Sequence, residues 1–166
     1  YCDHPKYYKL ALNSQADTII INDEVQAPKG KAIIISETPF EDYNKLSKLF
    51  FPESKPSKEP RNQKIHPTAT IYPNVYIGEN VHIGEYSTIY TGACIMDHVR
   101  IGRHVKIGPN SVIGHYAFYY KQQEGKHEQM HSIGNVKIND FAEIGALCTI
   151  DKGVSASTII GEGTKI

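Results

Sequence analysis

The stretch IGENVHIGEYSTIY, residues 77–90, decides the fold because it places an isoleucine at every sixth residue. An α-helix repeats its buried face every 3.6 residues and a strand every second residue, so neither explains this spacing. The period continues in both directions without a gap, through isoleucines at 65, 71, 77, 83, 89, 95, 101, 107 and 113. It returns at 138, 144 and 150, and again at 160 and 166.

Hexapeptide periods are typical of parallel β-helices. Three six-residue repeats, about 18 residues in all, form one triangular coil. The chain is therefore predicted to be mainly β, with a left-handed parallel β-helix over residues 65–166. We expect the isoleucines to stack inward in three columns. Most residues at the fifth place of each repeat are small or β-branched, as at Ser87, Ala93 and Val99, and we expect them to face inward at the corners. Glycine often follows the isoleucine, where we expect it to relieve a turn with positive φ.

Two stretches interrupt the period. Residues 119–137, YYKQQEGKHEQMHSIGNVK, are polar and longer than a repeat, and are predicted to leave the β-helix as an inserted loop. A shorter break covers residues 151–158. Three consecutive aromatic residues, Phe118, Tyr119 and Tyr120, begin the long insertion; they either line an acyl or sugar pocket or anchor the loop on the β-helix wall.

The first 51 residues have a different pattern, which predicts a small N-terminal α/β unit. Two apolar runs, residues 19–23 and 31–36, are predicted strands. Helices are predicted around residues 4–14 and 38–50, the second with Thr38 as N-cap and Glu41 completing a capping box, with Phe40, Tyr43, Leu46 and Phe50 on one face. Residues 52–64 are rich in proline and polar residues and are predicted to be a linker.

Composition excludes several classes of function. The formal net charge is zero, with 18 basic and 18 acidic residues, which gives no basic footprint for nucleic acid. No apolar run is long enough for a transmembrane segment. Three cysteines without CxxC spacing suggest reduced thiols in a cytoplasmic protein. Eight histidines suggest a metal site. Residues 18 apart stack in successive coils, however, so His82 would lie against Arg100 and His104 against Tyr86, and no column of histidines forms. We therefore predict no metal site and no cofactor.

Three segments add a family resemblance to this pattern: HPKY at residues 4–7, VIGHYAFYY at 112–120, and EIGALCTIDKGVSASTIIGEGTKI at 143–166. With the N-terminal α/β unit and the hexapeptides, the chain resembles the UDP-3-O-(3-hydroxyacyl)glucosamine N-acyltransferase family of lipid A synthesis. The resemblance implies a homotrimer with active sites in clefts between neighbouring β-helices. It also implies that the N-terminal unit binds the uracil of a UDP-sugar through Tyr1, His4 and Tyr7, where His4 replaces the asparagine of the family motif.

The resemblance further implies transfer of a 3-hydroxyacyl chain from acyl carrier protein to the 2-amino group of the sugar. In the family a histidine acts as general base. It lies beyond the family segment that corresponds to GTKI, residues 163–166 of this chain. We therefore expect the chain to be a fragment with its catalytic base outside residues 1–166, and assign no catalytic residue. Two alternatives stay open: a sugar-nucleotide N-acyltransferase that uses acyl-CoA, and a non-catalytic nucleotide-sugar-binding protein.

Overall fold

The computed structural model describes residues 1–53, 62–123 and 125–166. The chain forms two compact units, Tyr1–Pro52 and Glu53–Ile166. Most of the expected linker, residues 54–61, lies outside the described residues.

The first unit follows the predicted order of helix, strand, strand and helix. A 3₁₀ turn at Pro5–Tyr7 leads into α1 (Tyr8–Leu12), and β1 (Thr18–Ile21) pairs in parallel with β2 (Ala32–Ile35) before α2 (Pro39–Phe50). The buried side chains of β1 and Phe40 of α2 are 6% exposed or less, and they provide the apolar core that a short α/β unit needs.

Two expectations about α2 are corrected. Thr38 precedes the helix but makes no capping hydrogen bond with its side chain. The Thr38 backbone N–H, which the Glu41 side chain would accept from in a capping box, donates instead to the Ser36 hydroxyl at 3.0 Å, and that hydroxyl donates to the Asp42 carboxylate at 2.6 Å. Of the four residues expected on one face, only Phe40 is fully buried, while Phe50 is 70% exposed.

The second unit is a left-handed parallel β-helix, as predicted. Its strands form three parallel sheets, which we name walls I, II and III. Wall I contains β3 (Lys64–Ile65), β6 (His82–Ile83), β9 (Arg100–Ile101), β14 (Asn135–Ile138) and β17 (Ser157–Ile160). Wall II contains β4 (Thr70–Ile71), β7 (Thr88–Ile89), β10 (Lys106–Ile107) and β15 (Glu143–Ile144). Wall III contains β5 (Tyr76–Ile77), β8 (Cys94–Ile95), β11 (Val112–Ile113) and β16 (Thr149–Ile150).

The register places isoleucine on isoleucine along every wall, as in the pairs Ile83–Ile101 and Ile89–Ile107. Ile89, Ile95, Ile107 and Ile113 are fully buried, and the fifth-place residues from Val81 to Ser111 are also fully buried. The two fifth-place serines are satisfied: the Ser87 hydroxyl donates to the Gly102 carbonyl at 2.8 Å and accepts from the Val105 N–H at 3.0 Å. The core is therefore a set of stacked aliphatic columns whose few polar groups are paired.

The expected role of glycine is wrong at most positions. The glycines that follow isoleucine at 78, 84, 102 and 108 do not have positive φ, although Gly114, at the start of the insertion, does. The left-handed residue lies two positions later in the repeat and is usually not glycine, as at Asn80, Tyr86 and His104. Glycine is required at some of the positions after isoleucine because the next coil leaves no room there: a Cβ at Gly84 would lie 2.5 Å from the Gly102 carbonyl oxygen.

The long insertion contains regular structure. Strands β12 (Tyr120–Gln123) and β13 (Lys126–Gln129) form an antiparallel hairpin. The β-helix resumes with β14 at Asn135, within the stretch 119–137 that we expect to be inserted, and β14 pairs with β9 below it and β17 above it. In the sequence, the hairpin therefore lies between β11 of wall III and β14, the fourth strand of wall I.

Candidate functional site

The three residues expected to contact a uracil ring lie near the start of the first unit. Tyr1 is half-buried, and its ring packs against Tyr43 at 5.5 Å and the edge of Phe40 at 5.8 Å between centroids. His4 and Tyr7 lie together, with their rings tilted and 6.0 Å apart. Tyr7 is 51% exposed and the Lys6 ammonium lies 5.4 Å from its ring centroid, so Tyr7 presents an electron-rich face beside a cation.

His4 has a structural role that its sequence position alone does not reveal. Its Nδ1 accepts a hydrogen bond from the Lys6 backbone N–H at 3.2 Å and thereby caps the 3₁₀ turn. An Nδ1 that accepts is unprotonated, so the neutral ring carries its proton on Nε2. His4 can therefore donate one hydrogen bond to a carbonyl oxygen, whereas an asparagine amide could both donate and accept.

The aromatic residues at the base of the hairpin are on the surface. Phe118 is 88% exposed, and its ring meets the Tyr120 ring edge-on at 5.0 Å. Tyr119 and Tyr120 are 45% and 41% exposed. Phe118 is thus free of cover on most of its surface, whereas more than half of each of these two tyrosines is covered; the buried residues Met130, His131 and Ser132 belong to the returning end of the insertion.

A cluster that the sequence pattern did not indicate lies where the two interruptions of the repeat meet. The Ile133 N–H donates to the Val154 carbonyl at 2.7 Å, which joins the long insertion to the short one. Beside it, the Lys152 ammonium lies 3.9 Å from the Tyr116 ring centroid, and the Tyr116 and His131 rings are 6.0 Å apart. Burial lowers the pKa of Lys152 and raises the pKa of Tyr116. The cation–π contact therefore holds an ammonium group in a half-buried position.

A second feature missed by sequence reasoning is a surface groove of about 660 Å³ on wall II. Its lining combines small residues with charged and aromatic ones, among them Gly108, Gly145, Ala146, Tyr90, Glu143 and two lysines. Lys106 and Lys165 meet at one carboxylate in this groove: their ammonium nitrogens lie 3.5 and 2.9 Å from Glu143 Oε1. The hydrogen bond from Lys165 is the main cause of the lowered pKa of Glu143, so the carboxylate stays ionised.

The histidines of the β-helix stack as the coil length predicts. His82 pairs in register with Arg100, and the His104 ring stacks on Tyr86 at 5.0 Å. Within the described residues, no group of three or more histidine, cysteine, aspartate or glutamate side chains is arranged to hold a metal ion. None of the helices in the described part of the chain is long and apolar enough to cross a membrane.

Comparisons with known proteins identify the repeat. Residues 62–91 and 82–115 match the bacterial transferase hexapeptide (six repeats) family. A UDP-3-O-acylglucosamine N-acyltransferase of Methylacidiphilum infernorum is 47% identical over 58 residues, which is 35% of this chain and 16% of that protein. The protein of the same name in Campylobacter lari is 48% identical over 56 residues, which is 33% of this chain and 18% of that protein. The matched stretch thus spans less than a fifth of the length of these relatives.

Two solved structures superimpose over most of the chain at low similarity. A mutant GDP-perosamine N-acetyltransferase from Caulobacter crescentus is 16% identical, with 89% of this chain and 78% of that chain covered and a TM-score of 0.23. The acetyltransferase domain of PglB from Neisseria gonorrhoeae is 16% identical, with 95% and 86% covered and a TM-score of 0.25. These identities and TM-scores add nothing to the fold that the strand pairing already defines.

Proposed function

We propose that the protein, whose residues 62–115 are bacterial transferase hexapeptide repeats, is a cytoplasmic N-acyltransferase that acts on a UDP-glucosamine derivative in lipid A synthesis. The observation that carries the proposal is the identity of 47–48% to proteins named UDP-3-O-acylglucosamine N-acyltransferase over 56–58 residues. The proposed donor is acyl carrier protein charged with a 3-hydroxyacyl chain.

The chemistry is attack of an amine on a thioester. The 2-amino nitrogen of the sugar bonds to the acyl carbon, the carbon–sulfur bond breaks, and the thiol leaves with a proton. A general base takes the proton from the amine, and backbone N–H groups stabilise the oxyanion. No residue of this chain is assigned as the base.

The proposed nucleotide contacts lie in the first unit. Tyr7 offers an exposed ring for stacking on uracil, Tyr1 supports that region through Tyr43, and His4 Nε2 donates to a uracil carbonyl. The exposed rings of Phe118, Tyr119 and Tyr120 are proposed to contact the acyl chain or the sugar. Because a single flat wall offers little concavity, we propose that three copies associate and that each site lies between two of them.

Acyl transfer by the full-length protein tests the proposal, with UDP-3-O-acylglucosamine as acceptor and 3-hydroxyacyl-acyl carrier protein as donor. Replacing Tyr7 with Leu removes the stacking ring and is expected to raise the KM for the UDP-sugar about tenfold with little change in kcat. Tyr86→Leu is the matched control, because Tyr86 is a tyrosine at a corner of the β-helix with similar exposure, 58% against 51%, and is expected to stay within about twofold of the wild type.

Each outcome has a distinct meaning. Turnover with acyl-CoA in place of acyl carrier protein would contradict the proposed donor but keep the transferase activity. Saturable binding of the UDP-sugar with no turnover from either donor would overturn the enzyme proposal and favour a nucleotide-sugar-binding protein.

A further inference from the structure

One corner of the β-helix carries a ladder of stacked aromatic rings. Tyr86, His104 and Phe141 occupy the same corner position in three successive coils, each with φ between 55° and 60°. The Tyr86 and His104 centroids are 5.0 Å apart, and the His104 and Phe141 centroids are 5.1 Å apart with an angle of only 4° between the planes. The corner backbone therefore directs each ring onto the ring of the coil below.

The ladder is open at its next position. Gly163 has the same corner conformation, with φ +68°, but provides no side chain. A Cβ added at Gly163 would meet no heavy atom within 4 Å, so no described neighbour occupies the place where a side chain would begin at this position. Phe141 is 48% exposed although one face of its ring is covered by His104. Its other face is therefore available to a flat ring.

Two cations lie beside this open position. The Lys165 ammonium donates to the Phe141 carbonyl and to Glu143 Oε1, both at 2.9 Å, and Lys106 reaches the same carboxylate oxygen. An ammonium group has three N–H donors. Among the described residues, Lys165 uses two of them in these bonds, and Lys106 makes only the ion pair with Glu143. The neighbouring Asp140 is paired with Arg103 at 2.8 Å, and Glu85 and Glu162 also act on that guanidinium. Among the charged side chains that line the groove, two ammonium groups therefore face one carboxylate.

We propose that this corner and the adjoining groove bind a nucleoside phosphate, with the base stacked on Phe141 in the space left by Gly163 and the phosphate held by Lys106 and Lys165. A nucleotide is the class of ligand that joins a flat ring to an anion at short distance. Stacking on a phenyl ring accepts any base, so the site selects nucleotides as a class rather than one base. The site uses none of the residues proposed to bind the UDP-sugar, so either proposal can fail without the other.

The test is an NMR titration of the ¹⁵N-labelled chain with AMP, followed at the Gly163 amide inside the proposed site. Binding is expected to shift this amide in a saturable way. Phe141→Leu removes the stacking face, while Leu147 shows that leucine is accepted at a corner with φ 57°. Gly163→Phe fills the open position with a phenyl ring like that of Phe141. Each variant is expected to raise the dissociation constant for AMP about tenfold.

Two controls separate stacking from general binding. Tyr86→Leu removes a ring at the far end of the same ladder and is expected to leave the AMP affinity within about twofold of the wild type. Inorganic phosphate is expected to bind the lysines at least about tenfold more weakly than AMP, because it has no ring to stack. A Gly163 amide that does not respond to millimolar AMP, or an AMP affinity unchanged in both Phe141→Leu and Gly163→Phe, would overturn the proposal.

Discussion

At some positions of this β-helix, contact with the next coil decides which amino acid fits, more than the neighbouring residues in the sequence do. Gly84 shows this, because a methyl group there would collide with the backbone of Gly102 in the next coil. Gly108 shows the same collision on wall II, because a Cβ there would lie 2.4 Å from the carbonyl carbon of Gly145. Contact between successive coils therefore requires glycine at both positions.

Gly84→Ala is accordingly expected to lower the free energy of unfolding by about 1–3 kcal/mol, since the backbone of the next coil must move. Arg100→Ala places an alanine at an exposed position of β9 and is the control, expected to stay within about 0.5 kcal/mol of the wild type. Urea unfolding followed by far-ultraviolet circular dichroism measures both. Equal losses in the two variants would contradict a steric role for Gly84.

Asp140 links two coils and makes stability depend on pH. Its carboxylate accepts from the Arg103 backbone N–H at 2.8 Å and from the Arg103 guanidinium, and these bonds hold the pKa of Asp140 below its ordinary value. The stabilisation is therefore complete above the ordinary aspartate pKa, about 3.9, and is lost as the pH falls through the lower pKa of the folded state.

Asp140→Asn is expected to make the free energy of unfolding fall less steeply between about pH 4 and pH 2, the range below the ordinary aspartate pKa. Arg103→Met removes the guanidinium but keeps the backbone donor, which is the larger cause of the shift. An NMR titration of the Asp140 carboxyl should thus give a pKa in Arg103→Met between that of the wild type and the ordinary value. A fully ordinary pKa in Arg103→Met would show that the backbone bond contributes little.

Several of these residue details could not be read from the sequence. The inward position of isoleucine and of the fifth-place residues follows from the period alone, and both were predicted. The reason for glycine was mistaken because a collision between coils depends on backbone positions that only the stacked register defines. Thr38 was predicted as the N-cap of α2 and does precede the helix, but its side chain makes no capping bond and its backbone N–H donates to the Ser36 hydroxyl.

At the scale of the strand, each two-residue strand is too short to be stable alone. A strand such as β10 persists because Ile107 packs in a column between Ile89 and Ile144 and because its backbone is bonded on both sides. The hairpin β12–β13 was expected only as a loop, since residues 119–137 lack the alternating apolar pattern that marks a half-buried strand. Its residues pair with each other instead of with a wall.

Ile107→Ala is expected to lower the free energy of unfolding by about 2–5 kcal/mol, because the side chain is fully buried and the rigid coils cannot close the cavity. Ile159→Ala makes the same chemical change in β17 at a side chain that is 61% exposed, and a loss of no more than about 0.5 kcal/mol is expected. Chemical denaturation of both variants tests the column. If Ile159→Ala lowered the free energy of unfolding as much as Ile107→Ala, an inward position for Ile107 and an outward position for Ile159 would be contradicted.

For the whole molecule, the period identified the architecture but did not identify a site. The groove on wall II and the cluster at Lys152 arise where residues far apart in sequence meet, so neither carries a local motif. Tyr1, His4 and Tyr7 came from a family resemblance and remain proposals.

The central claim is that the flat walls of stacked coils form the proposed acyl-transfer site only by facing other copies of the same chain, whereas the groove on wall II lies within one chain. Sedimentation equilibrium over a range of micromolar concentrations tests it most directly. The account predicts a species with three times the mass of one chain. A single chain mass across the whole range would contradict it.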